Sequence, residues 1–287
     1  MAFGKYNIDR KKGEGKEEMS FLDHLDELRS RIINSLVATI LAGGIFLVFN
    51  KWIFANVIFA PTHSDFMTYR FFCSLGETFC LKVPEFTQQA VGFGESFMIS
   101  IKVSFVLGFI AIFPFVFWQF WQFVKPGLHA RERKATRQVV SICSALFLTG
   151  VLFGYFVISP FAISFLMGYT IPGVQNIPTV SSYISFLLMF TAPTGLVFEM
   201  PIVVYFLARV GLVTPEFMRK YRKHAIVLIL IVAAIVTPSP DMISQLLLGT
   251  PLYILYEVSI GIAARVIRKE KEREEAEYGR PLSPEQN

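Results

Sequence analysis

The chain has 287 residues, of which 53% are hydrophobic and only 17% are charged, and its mean hydropathy is +0.51. A soluble domain carries about a quarter charged residues, so this is not the composition of a soluble protein. The apolar runs are nearly continuous over about twenty residues, whereas the strands of membrane barrels alternate apolar and polar positions. The sequence therefore predicts an all-α membrane protein, and its net charge of +5 does not indicate nucleic-acid binding.

Six apolar segments are candidates for membrane-spanning helices: residues 31–50, 96–123, 138–166, 181–208, 224–236 and 242–262. A span needs about 20 residues to cross the hydrocarbon core. The fifth segment has only 13, because the run Thr237-Pro238-Ser239-Pro240 cannot continue a helix. The second, third and fourth segments contain prolines that predict kinks, namely Pro114, Pro160, Pro193 and Pro201. These lengths predict a concave body with two short C-terminal helices.

Lysine and arginine are distributed unevenly along the chain. Of the 27, 23 lie in the region up to Arg31, in the loops after helices two and four, or after helix six. Because cytoplasmic connections carry the excess of basic residues, both termini are predicted to be cytoplasmic. The chain is thus divided into a disordered basic segment (1–19), a six-helix transmembrane domain (20–264) with an extended outer loop (50–95), and a charged cytoplasmic tail (265–287).

The outer loop contains two cysteines, Cys73 and Cys80. A compartment outside the cytoplasm permits disulfides, so these residues form either a small disulfide-closed loop or two free thiols. The third cysteine, Cys143, lies in helix three, where packing is its expected role. Neither the cysteines nor the histidines have the spacing of metal ligands, so no metal site is expected.

Glu199 lies near the middle of an otherwise uncharged apolar run from Ser181 to Leu207. A carboxylate in a bilayer costs at least a few kcal/mol unless a partner, water or protonation compensates it. This residue is therefore a candidate for function. Glu257 in helix six is either a second intramembrane acid or a solvated residue near the cytoplasmic end that Arg265 indicates. Asp241 follows the Pro-Ser-Pro turn, where it can cap helix six.

Two glutamates near the predicted cytoplasmic surface have two interpretations each. Residues 20–31 predict a helix along that surface, in which Glu27 either pairs with Arg31 at i,i+4 or holds an external cation. Glu132, in the basic loop after helix two, either complements the dipole of helix three or holds a cation. The residues alone leave both alternatives open.

Four short motifs follow one another along the chain. They are His24-Leu-Asp-Glu-Leu-Arg29, Phe123-Val-Lys-Pro-Gly-Leu with Arg131-Glu-Arg133, Phe198-Glu-Met-Pro201, and Thr237-Pro-Ser-Pro-Asp241 with Gln245. In this order and at these spacings, they resemble the TatC family, the core membrane subunit of the twin-arginine protein translocase. The resemblance runs from about Phe21 to Ile262. Two features depart from the family pattern: the outer loop is longer than expected, and the turn before helix six lacks adjacent prolines.

The resemblance implies a receptor rather than an enzyme. TatC proteins recognise the paired arginines in the signal peptides of folded cargo. Carboxylates suit this ligand, because a guanidinium makes bidentate hydrogen bonds that lysine cannot reproduce. By similarity, the gripping carboxylates would be Glu27 and Glu132, and the supporting residues would be Arg29, Phe123, Arg133 and Pro61.

The resemblance also implies partners within the membrane. Glu199, with Gln245 and Asp241, would dock the single-helix subunits TatA and TatB. The protein would belong to a larger, self-associating complex in the bacterial cytoplasmic (inner) membrane, driven by the proton-motive force without a cofactor.

Two other classes of function compete with this one. A proton-coupled secondary transporter would use Glu199 as its proton carrier, but such proteins often contain internal repeats, and none is evident here. A membrane enzyme would need a nucleophile–base or metal constellation, and the sequence shows no HExxH, no GxSxG and no paired membrane aspartates.

Overall fold

The computed structural model describes residues 21–74, 76, 80, 88–124, 136–169, 171–173, 177–236 and 242–278. Within these ranges the chain is helical and contains no β-strand, and one isolated parallel bridge joins Gln89 to Thr179. The prediction of an all-α protein is confirmed. The segment predicted to be disordered and the end of the tail lie outside the described residues.

The described ranges contain α-helices, two π-helical segments and one short 3₁₀ turn. The π-helical segments are Phe54–Ile58 and Gly154–Ile158, and the 3₁₀ turn is Ala60–Thr62. The α-helices are α1 (Phe21–Val48), α2 (Asn50–Ile53), α3 (Met67–Ser74), α4 (Glu95–Ala111), α5 (Phe113–Val124), α6 (Thr136–Phe153), α7 (Ser159–Gly168), α8 (Val180–Val197), α9 (Met200–Arg209), α10 (Pro215–Lys220), α11 (Arg222–Val236) and α12 (Met242–Tyr278).

Four helical stretches among the described residues are long and apolar enough to cross a membrane: His24–Val48, Gln138–Gly168, Val180–Arg209 and Leu248–Lys269. A fifth span results if α4 and α5 are counted together. Many large apolar side chains on these helices are exposed, among them Leu41, Ile45 and Val48 of α1. Such a surface suits contact with lipid, and the protein is a membrane protein. The sixth span and the cytoplasmic location of the termini stay predictions.

The predicted kink of the segment 96–123 at Pro114 is present, and it divides the segment into two helices. These are α4 and α5, which are bent by 61° at Ile112. Pro114 explains the position of the break, because it has no N–H to donate to the carbonyl of Ile110 and its ring would clash with that group. Beyond the bend, α5 packs against the first half of α1.

Two further expectations about helix ends are wrong. Residues 20–31 do not form a separate surface helix, because α1 continues without a break from Phe21 and its first glycine is Gly43. The sixth helix is not short: α12 has 37 residues, since the charged tail continues it and Arg268 pairs with Glu272 one turn later at 2.9 Å. The predicted shortness of the fifth helix holds, as α11 has 15 residues.

Glycines let two pairs of helices approach closely. A Cβ added to Gly108 of α4 would lie 2.6 Å from the backbone nitrogen of Gly43 in α1. A Cβ added to Gly154 would clash with the carbonyl oxygen of Phe190 in α8. Both crossings therefore require a residue without a side chain. Small residues at the interfaces of membrane helices commonly allow such close approaches.

Side-chain hydroxyls form hydrogen bonds between residues 54–74 and the helices packed against them. Tyr155 donates to the carbonyl of Val57 at 2.6 Å, and Tyr183 donates to that of Ile58 at 2.7 Å. Thr68 donates to the carbonyl of Phe156. In a regular helix this carbonyl would accept a hydrogen bond from the N–H of residue 160, but Pro160 has none. At the end of α3, Cys73 is joined to Cys80 by a disulfide.

Candidate functional site

The start of α1 meets the end of α5 in a group of polar and aromatic side chains that we term the α1–α5 cluster. Its members are His24, Glu27, Arg31, Gln119 and Phe123. The three α1 residues share one face of the helix, because positions three and four apart are neighbours. The bend at Ile112 turns α5 so that its residues meet this face.

Glu27 forms an ion pair that uses only one of its two carboxylate oxygens. Its Oε1 accepts a hydrogen bond from Nη2 of Arg31 at 3.1 Å, and its side chain is 22% exposed. Its Oε2 is buried and has no hydrogen-bond partner among the described residues. An unsatisfied buried acceptor of this kind costs about 1–3 kcal/mol. The i,i+4 pair is therefore present, and it leaves one oxygen available to a donor that enters the cluster.

Arg31 divides its guanidinium between two acceptors. While Nη2 donates to Glu27, Nη1 donates to Oε1 of Gln119 at 2.9 Å. Gln119 is 8% exposed and lies in the aromatic helix α5, so its amide is held among apolar neighbours. Glu27 thus receives one hydrogen bond from Arg31 instead of the bidentate pair that arginine and carboxylate often form.

The aromatic members of the cluster stack, and a cavity opens beside them. The rings of His24 and Phe123 lie 4.2 Å apart at 16°. A cavity of about 430 Å³ continues from Arg31 and Phe123 between α1, α4 and α5. Arg29 is exposed on another face of α1. The other side chains that line the cavity are mainly apolar, including Leu28, Ile32, Leu36, Phe105, Phe109 and Phe120.

Two of the predicted peptide-binding residues that the structure describes, Arg29 and Pro61, are not in this cluster. Glu132 and Arg133 fall in the segment 125–135, outside the described residues. Pro61 is fully buried beyond the far end of α1, where its carbonyl accepts a hydrogen bond from Tyr69 at 2.9 Å. Since α1 has 28 residues and is about 40 Å long, Pro61 is remote from Glu27 and its contacts are those of a packing residue.

Glu199 occupies the break between α8 and α9 and is 8% exposed. Its carboxylate lies against Cys143 and Phe147 of α6. Neither oxygen has a hydrogen-bond partner within the part of the chain that the structure describes. A buried acid without a partner inside a spanning segment marks a candidate functional position.

The remaining polar candidates lie at α11 and α12. Gln245 donates its Nε2 to the carbonyl of Leu230 at 2.8 Å and so links the two helices. Glu257 pairs with Arg222 at 2.8 Å and accepts a hydrogen bond from Tyr253 at 3.0 Å. The second intramembrane acid is therefore compensated within the chain. Asp241 lies outside the described residues.

A comparison with known protein families shows to which family the chain belongs. The family model for TatC, the Sec-independent protein translocase protein, matches residues 23–251. The chain belongs to the TatC family. TatC proteins are components of a protein translocase and are not known as enzymes, so this is a membrane protein of protein transport.

Individual TatC proteins match nearly the whole chain. The TatC of Blattabacterium sp. subsp. Periplaneta americana (strain BPLAN) is 39% identical over 263 residues, which cover 88% of this chain and 98% of the relative. The TatC of Aquifex aeolicus (strain VF5) is 35% identical over 260 residues, covering 90% and 100%. A crystal structure of the twin arginine translocase receptor TatC matches with a TM-score of 0.68 and 34% identity, covering 85% of this chain and 99% of that one.

Two members of the α1–α5 cluster, His24 and Gln119, were not predicted from the sequence to take part in a site. His24 lies inside one of the family motifs, but its stacking on Phe123 depends on the bend of α5. Gln119 carries a signal that could have been used: an amide in the aromatic run Phe113–Val124 needs a polar partner. That partner is Arg31, which lies 88 positions away in the sequence, and only the fold shows that the two residues meet.

Proposed function

We propose that this protein is the core receptor subunit of a twin-arginine translocase. It binds the twin-arginine signal peptides of folded cargo and organises single-helix partners for export driven by the proton-motive force. It crosses the bacterial cytoplasmic membrane six times, with both termini in the cytoplasm. Membership of the TatC family and the similarity to a TatC receptor structure support this proposal.

The observation that carries the proposal is the unpaired Oε2 of Glu27. A guanidinium is the donor that best fits such an oxygen, since it remains charged and presents several N–H groups in one plane. The stacked rings of His24 and Phe123 belong to the same α1–α5 cluster. Glu132, from the adjacent loop, supplies the second carboxylate for the second arginine, supported by Arg29 and Arg133.

The test is binding of a fluorescent twin-arginine signal peptide to the purified full-length protein. Glu27→Gln should weaken binding about tenfold or more, because a charge-assisted hydrogen bond contributes about 1.5–3 kcal/mol. Glu272→Gln is the matched control, as it removes another i,i+4 pair with an arginine, exposed on α12. Equal peptide affinity in Glu27→Gln and the unaltered protein would overturn the receptor proposal.

Partner docking is assigned to a different part of the molecule. Glu199 is the intramembrane docking point for helices of the TatA and TatB type, with Gln245 and Asp241 contributing on the side of α11 and α12. The lack of hydrogen-bond partners for Glu199 among the described residues supports this assignment. Further copies of the chain join the same complex.

A further inference from the structure

Gln119 determines how much of Glu27 is available to a ligand. Arg31 has two terminal nitrogens, and one of them is engaged by Gln119 at 2.9 Å. The other reaches only Oε1 of Glu27, at 3.1 Å. Without the amide of Gln119, nothing in the described part of the chain would hold Nη1 away from the carboxylate, and Arg31 could turn to contact both oxygens.

An internal arginine beside Glu27 is chemically the same group as the proposed ligand. A bidentate Arg31–Glu27 pair would occupy the acceptors that an incoming guanidinium needs. The observed arrangement avoids this competition, since the Oε2 of Glu27 stays without a partner among the described residues while Arg31 remains neutralised. Arg31 also lines the cavity between α1, α4 and α5.

We propose that Gln119 is a positioning residue for peptide binding: by holding one arm of Arg31, it keeps half of Glu27 open to an arginine of the ligand. This inference rests on the proposed function of Glu27 as a receptor carboxylate. It assigns to Arg31 the role of an internal competitor that is kept in a single-contact geometry. Gln119 does not touch the ligand.

The experiment compares Gln119→Leu in two backgrounds, using the same fluorescent twin-arginine peptide and the full-length protein. In the unaltered background, Gln119→Leu should lower peptide affinity about tenfold, because Arg31 closes over Glu27. In the Arg31→Leu background the competitor is absent, so adding Gln119→Leu should change affinity less than about twofold. Dependence of the effect on Arg31 is the signature, since a purely structural role of Gln119 would lower binding in both backgrounds.

Two further variants complete the design. Gln119→Glu keeps an acceptor for Arg31 at the same position and should retain the affinity of the unaltered protein. Gln122→Leu, the same substitution one turn further along α5, is the control for altered helix packing, because Gln122 is half-buried and outside the α1–α5 cluster.

The outcomes separate this inference from the proposed function. If Glu27→Gln abolishes binding while Gln119→Leu leaves it unchanged, or weakens it equally in both backgrounds, the positioning role is wrong and the receptor function stands. If Glu27→Gln has no effect, the receptor proposal fails and the positioning role fails with it. Loss of binding in Gln119→Leu only when Arg31 is present supports both.

Discussion

Glu27 and Glu199 share one property at the scale of single residues: each has a buried carboxylate oxygen without a hydrogen-bond partner among the described residues. Their surroundings differ. Glu27 pairs with Arg31 near the start of α1, and Arg31 lines a cavity, whereas Glu199 lies against Cys143 and Phe147 in the middle of a span. The first environment suits a ligand that arrives with its own guanidinium, and the second suits a polar group on a helix within the membrane.

Glu199→Ala is expected to separate partner coupling from peptide binding. Recovery of TatA- and TatB-type partners with the protein should fall severalfold, because the alanine offers no acceptor to a polar side chain inside the bilayer, where such contacts contribute about 0.6–2 kcal/mol. Twin-arginine peptide affinity should stay within about twofold, since Glu27 is untouched. Co-purification and peptide binding measure the two effects.

Glu257→Gln serves as the control for this experiment, because Glu257 is also a membrane-helix glutamate but already has Arg222 and Tyr253 as partners. It should leave partner recovery unchanged. Normal recovery in Glu199→Ala, or a loss of peptide binding as large as in Glu27→Gln, would show that the docking role is wrong.

Helix packing, at the scale of elements, depends on backbone contacts that leave no room for a methyl group. Gly154 is the sharpest case, because its π-helical segment lies directly against the backbone of α8 at Phe190 and Thr191. A backbone obstacle cannot move out of the way as the end of a flexible side chain can. The π-helical segment and α8 must therefore move apart if a side chain is added at Gly154.

Gly154→Ala should therefore lower the stability of the protein by about 3 kcal/mol or more, at the upper end of what overpacking causes. Thermal unfolding of the purified protein in detergent measures the change. Gly261→Ala in α12 is the control, as no atom lies within 4 Å of its added Cβ, and alanine there should be neutral or stabilising by up to about 1 kcal/mol. Similar unfolding temperatures for both variants would contradict the close approach.

The helical stretches were predictable from the sequence because hydropathy reflects the thickness of the bilayer. The predicted segment 181–208 corresponds to Val180–Arg209, and 138–166 corresponds to Gln138–Gly168. The 61° bend at Ile112 was not predictable, since Pro114 indicates a break but not its angle. The contact of Arg31 with Gln119 depends on that angle. The receptor role that we propose for Glu27 came from the family resemblance, because an ion pair with Arg31 already explained its position in the sequence.

At the scale of the whole molecule, α11 decides on which side of the membrane the C-terminus lies. Among the described residues, the other candidate spans number five when α4 and α5 count as one. With 15 residues, α11 is about 22 Å long and shorter than the roughly 30 Å hydrocarbon core. If α11 stays on one side, the basic residues after Arg265 face outward, against the positive-inside rule. Local thinning of the bilayer costs only a fraction of a kcal/mol per Å, so we expect α11 to cross.

Cysteine labelling in intact cells tests this sixth crossing. In a cysteine-free background, Ile177→Cys should react with a membrane-impermeant maleimide, because it is exposed between α7 and α8 on the predicted outer side. Glu275→Cys, exposed on α12, should react only after the membrane is permeabilised. Labelling of Glu275→Cys in intact cells would mean that α11 does not cross. An even number of spans also puts Glu27 on the same side as Glu275, so a protected Glu275→Cys directs the α1–α5 cluster toward the cytoplasm, where signal peptides arrive.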